Sequence, residues 1–251
     1  MKLNKITASL IAASAMAFAS GAQAITVSGV TWDETFVNDF FAKSNITESI
    51  ATIIGQEFQG YGVFTSLNGS LGFCSGCELT FKFEDYIIQT DLTSAEVNDT
   101  FTASGGVLRV YVDDTPNFNE ALASTATDGD LFLELVGFDA LSAGYTLSGS
   151  ITGVSVLGAL LTGQGTGFLN VVDGLAESYF DTNGQVGGAD FLYTSSFQPL
   201  KTPYAENGVT YTHGGTAEIT GATSVPEPAT LALLGLGLVG LGLARRNKKA
   251  A

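Results

Sequence analysis

The chain contains only two cysteines, Cys74 and Cys77, and their C-x-x-C spacing permits three kinds of chemistry. A zinc site would need two further ligands, and His213 is the only histidine that could supply a nitrogen. A redox site would need a helix beginning after Cys74 to stabilise the thiolate, whereas the following residues alternate like a strand. The pattern favours a disulfide across Ser75-Gly76, with redox and zinc chemistry as the weaker alternatives.

Acidic residues supply the other candidates. Asp113-Asp114 and Glu84-Asp85 are adjacent carboxylates, but neighbours in a strand point to opposite faces, so spacing alone makes neither a catalytic pair. The segment Asp181-Thr182-Asn183-Gly184-Gln185 resembles a calcium loop, yet Val186 and Leu192 replace the required Gly and Glu, which favours a turn. No G-x-S-x-G motif supports a Ser-His-Asp triad. We therefore predict no catalytic residue, no metal site and no cofactor.

The C-terminal end begins with a proline-rich segment, Val225-Pro226-Glu227-Pro228. Pro226 and Pro228 lack a backbone N–H and keep the residues before them away from helical angles. The segment is therefore expected to be an extended stalk, which is the form that a processing enzyme needs.

An uncharged stretch, residues 229–244, follows the stalk and leads into Arg245 and Arg246. As a helix it would be about 24 Å long, slightly less than a bilayer core of roughly 30 Å, and local thinning would let it insert. The basic end should stay in the cytoplasm, leaving the body across the membrane. A permanent membrane anchor is the alternative to a processed one.

The order of stalk, apolar helix and arginine pair closely resembles the PEP-CTERM sorting signal of proteins exported by Gram-negative bacteria that make extracellular polysaccharide. The resemblance covers about the last 27 residues. It implies that an exosortase, an integral-membrane cysteine protease, recognises Pro226-Glu227-Pro228 and removes the helix. The implied precursor is anchored in the inner membrane, and the product is displayed at the cell surface or released.

The N-terminus has the pattern of a signal peptide. Lys2 and Lys5 precede an apolar run, residues 6–18, that is too short to span a membrane, and Ala22-Gln23-Ala24 is an A-x-A cleavage site. Signal peptidase should cut after Ala24, so that the mature protein begins at Ile25. Export through this route places the cysteines in an oxidising compartment, which favours their disulfide.

Charge is distributed unevenly along the chain. All 25 acidic residues lie between Ile25 and Pro228, where the only basic residues are Lys43, Lys82, Arg109 and Lys201. Such a surface repels nucleic acid and anionic lipid, which excludes a nucleic-acid partner. Calcium bridging to an acidic polysaccharide is one possible consequence, but a solvated surface that keeps an exported protein soluble explains the charge more simply.

Residues 25–224 are predicted to form one extracytoplasmic domain, after a signal peptide at 1–24 and before the sorting signal at 225–251. Leu79, Phe81 and Phe83 alternate with polar residues, as in a strand with one buried face. Similar patterns predict further strands at 61–67, 107–112, 131–138, 145–151, 167–172 and 191–197. We expect an all-β fold, an antiparallel sandwich or jelly-roll-like domain, flanked by an N-terminal signal helix and a C-terminal transmembrane sorting helix.

Two local patterns add detail to this prediction. Apolar residues at 46, 50, 53 and 54, ending at Gly55, have helical spacing and predict one short amphipathic helix. Gly214-Gly215 separates two strand-like segments, 209–213 and 216–220, and predicts a hairpin turn.

The body also resembles the flocculation-associated subgroup of PEP-CTERM proteins. The resemblance rests on Cys74-Ser75-Gly76-Cys77-Glu78-Leu79-Thr80-Phe81, on Phe180-Asp181-Thr182-Asn183 and on residues 188–197. It implies a non-enzymatic protein that helps cells and extracellular polysaccharide form flocs. The alternatives are a secreted carbohydrate-binding module or a polysaccharide-active enzyme, which would need two carboxylates about 5 to 10 Å apart in one groove.

Overall fold

The computed structural model describes residues 24–33, 39–155 and 160–224. The two predicted terminal helices lie outside these ranges, as do Ala22, the stalk Val225-Pro226-Glu227-Pro228 and the pair Arg245 and Arg246. Within the described ranges, no helix has the length and apolar character needed to cross a membrane.

Strands dominate the described part of the chain, which confirms the predicted all-β class. Helical structure there consists of one α-helical turn, α1 (Glu177–Phe180), and two 3₁₀ turns at Ala123–Ala126 and Val186–Gly188. The strands are β1 (Ala24–Val27), β2 (Val30–Asp33), β3 (Phe40–Glu48), β4 (Glu57–Leu67), β5 (Glu78–Ile88), β6 (Thr100–Asp113), β7 (Asp130–Gly137), β8 (Leu147–Val154), β9 (Leu161–Asp173), β10 (Phe191–Glu206) and β11 (Val209–Gly221).

Nine of these strands form one antiparallel sheet, and β1 and β2 form a separate hairpin. The sheet order is β11-β10-β9-β7-β6-β5-β4-β3, and β8 pairs with both β6 and β9. Strands β6 and β9 are long enough to flank two partners in succession. Strand β7 fills one stretch of the gap between them, and β8 fills the next.

The two end strands of the sheet, β3 and β11, lie against each other. Lys43 Nζ is 3.1 Å from Glu218 Oε1, and the Ser44 hydroxyl donates a 3.1 Å hydrogen bond to the Ala217 carbonyl. Asp39 also forms a backbone bridge with Gly221. The sheet therefore curls until its first and last strands meet, which shields edges that would otherwise be open to other chains.

The inner side of the curled sheet holds the hydrophobic core. Leu79, Phe81 and Phe83 of β5 are all at least 97% buried, as their alternation predicted. At one end Trp32 closes the core, with its ring centroid 5.2 Å from Phe180 and in an edge-to-face contact with Phe132. Each fully buried ring of this kind contributes roughly 1.5–3 kcal/mol to stability.

The predicted short helix at residues 45–55 is wrong. Residues up to Glu48 belong to β3, where Ile46 pairs with Gly62 of β4. Ile46 is buried in this strand, whereas Ile53 and Ile54 are 51% and 59% exposed. The apolar residues that suggested one helical face therefore do not share a face, and pairing with β4 overrides the local spacing.

The predicted hairpin at Gly214-Gly215 is also wrong. Strand β11 runs without a break from Val209 to Gly221, and the turn that leads into it is Asn207-Gly208, with φ values of 50° and 85°. The Gly215 Cα lies opposite Phe197 of β10, and an added Cβ would overlap the Ser196 carbonyl. Gly215 thus permits close strand packing and does not form a turn.

Candidate functional site

Of the predicted processing residues, only Ala24 and Ile25 lie in the described ranges. Ala24 is exposed and opens β1 opposite Asp33, and Ile25 pairs with Trp32 and packs against the core. The residue predicted to begin the mature protein is thus part of the β1–β2 hairpin.

Cys74 and Cys77 lie at disulfide distance, with their Cα atoms 5.1 Å apart across the Ser75-Gly76 turn. The turn also contacts the β1–β2 hairpin. Cys74 forms a backbone bridge with Val30, and Thr31 N donates a 2.7 Å hydrogen bond to the Phe73 carbonyl. The cysteine pair therefore lies among backbone contacts, at the point where the N-terminal hairpin joins the sheet.

One carboxylate of each adjacent pair, Glu84 and Asp113, has a structural partner of its own. Glu84 forms ion pairs with Lys82 and Arg109, and the Arg109 Nε lies 2.8 Å from Glu134. Partial burial would raise the pKa of Glu84, but the hydrogen bond and charge of Lys82, together with Arg109, hold it below its usual range. Asp113 accepts the Thr115 N–H at 2.8 Å and so ends its strand with a turn.

The loop that resembles a calcium site is organised by a carboxylate outside the predicted pattern. Asp190 is 98% buried and accepts backbone N–H groups from Val171, Thr182 and Asn183 at 2.6–2.9 Å. These bonds satisfy its oxygens and shape the loop as a turn. Within the described ranges, no group of three or more His, Cys, Asp or Glu side chains could hold a metal ion.

His213 lies inside β11 and not beside a turn. It is 99% buried, its Nε2 is 3.0 Å from the Leu161 carbonyl oxygen, and its Nδ1 is 2.8 Å from the Thr212 hydroxyl. Burial lowers the pKa of this imidazole. Both ring nitrogens have structural partners, so the geometry does not resemble a catalytic base.

The structure assembles a surface that the sequence reading did not identify. Hydroxyl and amide side chains from five strands lie in register on the outer side of the sheet, and we call this surface the polar face. One row consists of Thr100, Ser150, Gln164, Ser196 and Thr216. The next row consists of Thr102, Ser148, Thr166, Thr194 and Glu218.

Strand pairing sets the dimensions of the polar face. Neighbouring strands are spaced by roughly 4.8 Å, so each row extends about 19 Å across the sheet. The residues between the rows, such as Phe101 and Ala217, are buried on the inner side. The polar residues must therefore point outwards, since successive side chains of a strand alternate between faces.

A groove of about 720 Å³ meets the β9–β11 part of the first row and extends from there to β3. Gln164, Ser196 and Thr216 contribute to its floor, and the ring of Phe118 contributes to its lining. Two smaller depressions, of about 300 and 380 Å³, share Gln164 with the groove and with each other. Tyr145 lines the second of them. The rows thus line a set of adjoining depressions, two of which also contain an aromatic residue.

The polar face carries little charge in a strongly acidic protein. Among the described residues that line the three depressions, Glu120, Lys201 and Glu218 are the only charged ones, and Glu218 is paired with Lys43. Each hydroxyl can donate and accept a hydrogen bond, and each Gln offers both an oxygen and an NH₂ group. The surface is therefore suited to an uncharged partner that is rich in hydroxyl groups.

A local sequence signal for this surface exists in β9. Its run Thr162-Gly163-Gln164-Gly165-Thr166-Gly167 alternates polar residues with glycine, so one face is polar and the other has no side chains. Glycine is required on the inner face at Gly163, where an added Cβ would overlap the Phe197 ring. The alternation identifies one polar strand, but the pairing with its neighbours is needed to see a surface.

Comparison with protein-family models matches residues 224–248 to the PEP-CTERM protein-sorting motif. No curated protein and no solved structure matches the chain.

Proposed function

Because the chain carries a PEP-CTERM sorting motif, which supports an exported protein processed by an exosortase, we propose that the mature protein acts without catalysis in the extracellular matrix and holds polysaccharide on its polar face. Its role is to help cells and polysaccharide associate in flocs or biofilm. Before processing, the apolar C-terminal segment, residues 229–244, holds the precursor in the inner membrane.

The two rows of the polar face are the observation that carries this proposal. An extended glycan presents hydroxyl groups at short, regular intervals, and the rows present complementary donors and acceptors over about 19 Å. Phe118 and Tyr145 add apolar ring surface at the lined depressions. The remaining surface is acidic and repels anionic polymers, so neutral stretches of polysaccharide are the favoured ligand.

A polysaccharide-active enzyme is the competing function. A glycosidase needs two carboxylates that face one groove, one as acid and one as base or nucleophile. Among the described residues that line the large groove, Glu120 is the only one with a carboxylate. This composition supports binding over hydrolysis.

Substitution Gln164→Glu tests the proposal, because it keeps the side-chain volume and places one negative charge in the row shared by all three depressions. We expect binding of the mature protein to purified neutral host polysaccharide to fall at least about tenfold, since a carboxylate loses the NH₂ donor and must be desolvated. Affinity electrophoresis or a sedimentation assay with the polysaccharide measures this.

Gln56→Glu is the matched control. Gln56 is exposed outside the polar face, and its Oε1 accepts the N–H groups of Thr52 and Ile53, which a carboxylate oxygen can also accept. This variant should bind polysaccharide like the unmodified protein. Equal binding by both variants and the unmodified protein would contradict a role for the polar face.

A further inference from the structure

A second recess lies on the inner side of the sheet, near the end of β3. Its volume is about 50 Å³, room for about three or four water molecules or a small organic group. The β3–β4 connection borders it at Ser49, Ile50 and Ala51. The rest of its lining is mainly aromatic, from Phe58, Phe83, Tyr86, Phe101, Tyr193 and Phe197.

One carboxyl group lines this aromatic recess. Glu48, the last residue of β3, is 92% buried, and its carboxyl makes no hydrogen bond within the described part of the chain. Burial raises the pKa of Glu48 to about 8. The other titratable groups of the lining are Tyr86 and Tyr193, whose pKa values burial also raises.

The recess offers Glu48 no positive charge. None of the described residues that line it is Lys, Arg or His. Taking an unpaired carboxylate out of water is costly. A cation that enters the recess would remove this cost, because it pairs with the carboxylate.

We propose that this recess binds a small organic ammonium ion, with its positive nitrogen against the Glu48 carboxylate and its alkyl part against the surrounding rings. Aromatic faces attract cations, and apolar rings contact alkyl carbons, so the lining matches both parts of such a ligand. A calcium ion is usually held by several carboxylates, whereas Glu48 is the only Asp or Glu among the described residues that line the recess. A purely apolar ligand would leave the carboxyl without a partner.

Binding has a proton balance that can be measured. The ammonium ion keeps its own proton, while the Glu48 carboxylic acid ionises and releases one proton to solvent. The measurement is titration calorimetry of the mature protein with n-butylammonium at pH 6.5, in two buffers of different ionisation enthalpy. It should show the release of close to one proton for each ligand bound. At pH 9.5 the release should fall towards zero, because Glu48 is already ionised.

Two comparisons separate charge recognition from packing. 1-Butanol has nearly the same size as n-butylammonium without the charge, and it should bind at least about tenfold more weakly. Glu48→Gln keeps the shape of the recess and should lose n-butylammonium binding to the same extent. Glu96→Gln changes an exposed glutamate elsewhere and should leave binding unchanged.

Clear outcomes would overturn the proposal. If n-butylammonium binds no better than 1-butanol, or binds equally well to the Glu48→Gln variant, the recess is only a packing void. If that variant fails to fold, the carbon-13 signal of the Glu48 carboxyl in the unmodified protein provides the test. Addition of n-butylammonium should lower its titration midpoint by at least one pH unit, and an unchanged midpoint would refute ammonium binding.

Discussion

At the residue scale, the surroundings of each carboxylate decide whether its burial is compensated. Asp190 is buried but accepts three backbone N–H groups, and Glu84 is paired with Lys82 and Arg109. Glu48 is buried without such compensation in the described ranges. The same functional group is therefore structural at the first two positions and costly at the third.

The pH dependence of stability should reveal this cost. An unfolded Glu loses its proton near pH 4.5, whereas folded Glu48 keeps it until about pH 8. Between these values the folded state binds more protons, so the free energy of unfolding falls as pH rises, by an amount on the order of 5 kcal/mol in total. Glu48→Gln should lack this loss.

The measurement is urea denaturation of both proteins at pH 5, 6.5 and 8, read as the difference between them. The difference is needed because His213, whose pKa is lowered by burial, acts in the opposite direction as pH falls through 6.5. Parallel stability curves for the two proteins would mean that Glu48 is solvated or paired in solution.

At the element scale, the cysteine turn connects the β1–β2 hairpin to the sheet. Two-stranded hairpins are marginally stable alone, so β1 and β2 depend on contacts with the rest of the protein. Those contacts include the Val30–Cys74 bridge and the bond from Thr31 to Phe73. Gly29 lies against the same turn, where an added Cβ would be 3.2 Å from the Cys77 sulfur.

Replacing both cysteines by serine should loosen this junction without unfolding the sheet. A disulfide that closes so short a loop contributes about 2 kcal/mol at most. We expect a small loss of global stability and clearly faster amide hydrogen exchange in residues 25–32, measured by mass spectrometry. A reducing agent should reproduce the effect in the unmodified protein and have no effect on the variant, and unchanged exchange in both would show that the cysteines do not hold the hairpin.

At the scale of the whole molecule, the body and the sorting signal have separate tasks. The described body closes its own sheet through the contact of β3 with β11, and its last described residue, Ser224, donates its N–H to the Tyr179 carbonyl at 2.8 Å. The sorting motif begins at this residue. The first residue of the matched motif is thus bonded to the body.

Deletion of residues 225–251 should therefore leave a folded protein that no longer supports floc formation. Circular dichroism and the unfolding midpoint should match those of the processed protein, while flocculation of the host should fall to the level of a strain without the gene. The intact mass of the native protein should begin at Ile25 and end near Pro228 only when the exosortase is present. Normal flocculation after the deletion would exclude the proposed role.

Much of the fold could be predicted because strand alternation is a local property. In β5, Leu79, Phe81 and Phe83 alternate with polar residues, and all three side chains point inwards as this alternation predicts. The wrong predictions, of a helix and of a hairpin turn, arose where pairing with another strand decides the local structure. The apolar residues at 46, 50, 53 and 54 have helical spacing, yet pairing with β4 holds residues 45–48 in a strand.

The sequence alone determined the PEP-CTERM motif and predicted the signal peptide, because both are linear signals that other proteins read along the chain. Only the tertiary structure decided what the body offers to a ligand. Thr100 and Thr216 are far apart in sequence and become members of one polar row only through the registers of β6, β8, β9, β10 and β11. Likewise, nothing in the sequence marks Glu48 as unusual. The free-energy cost of ionising its carboxyl arises because rings from distant strands surround it.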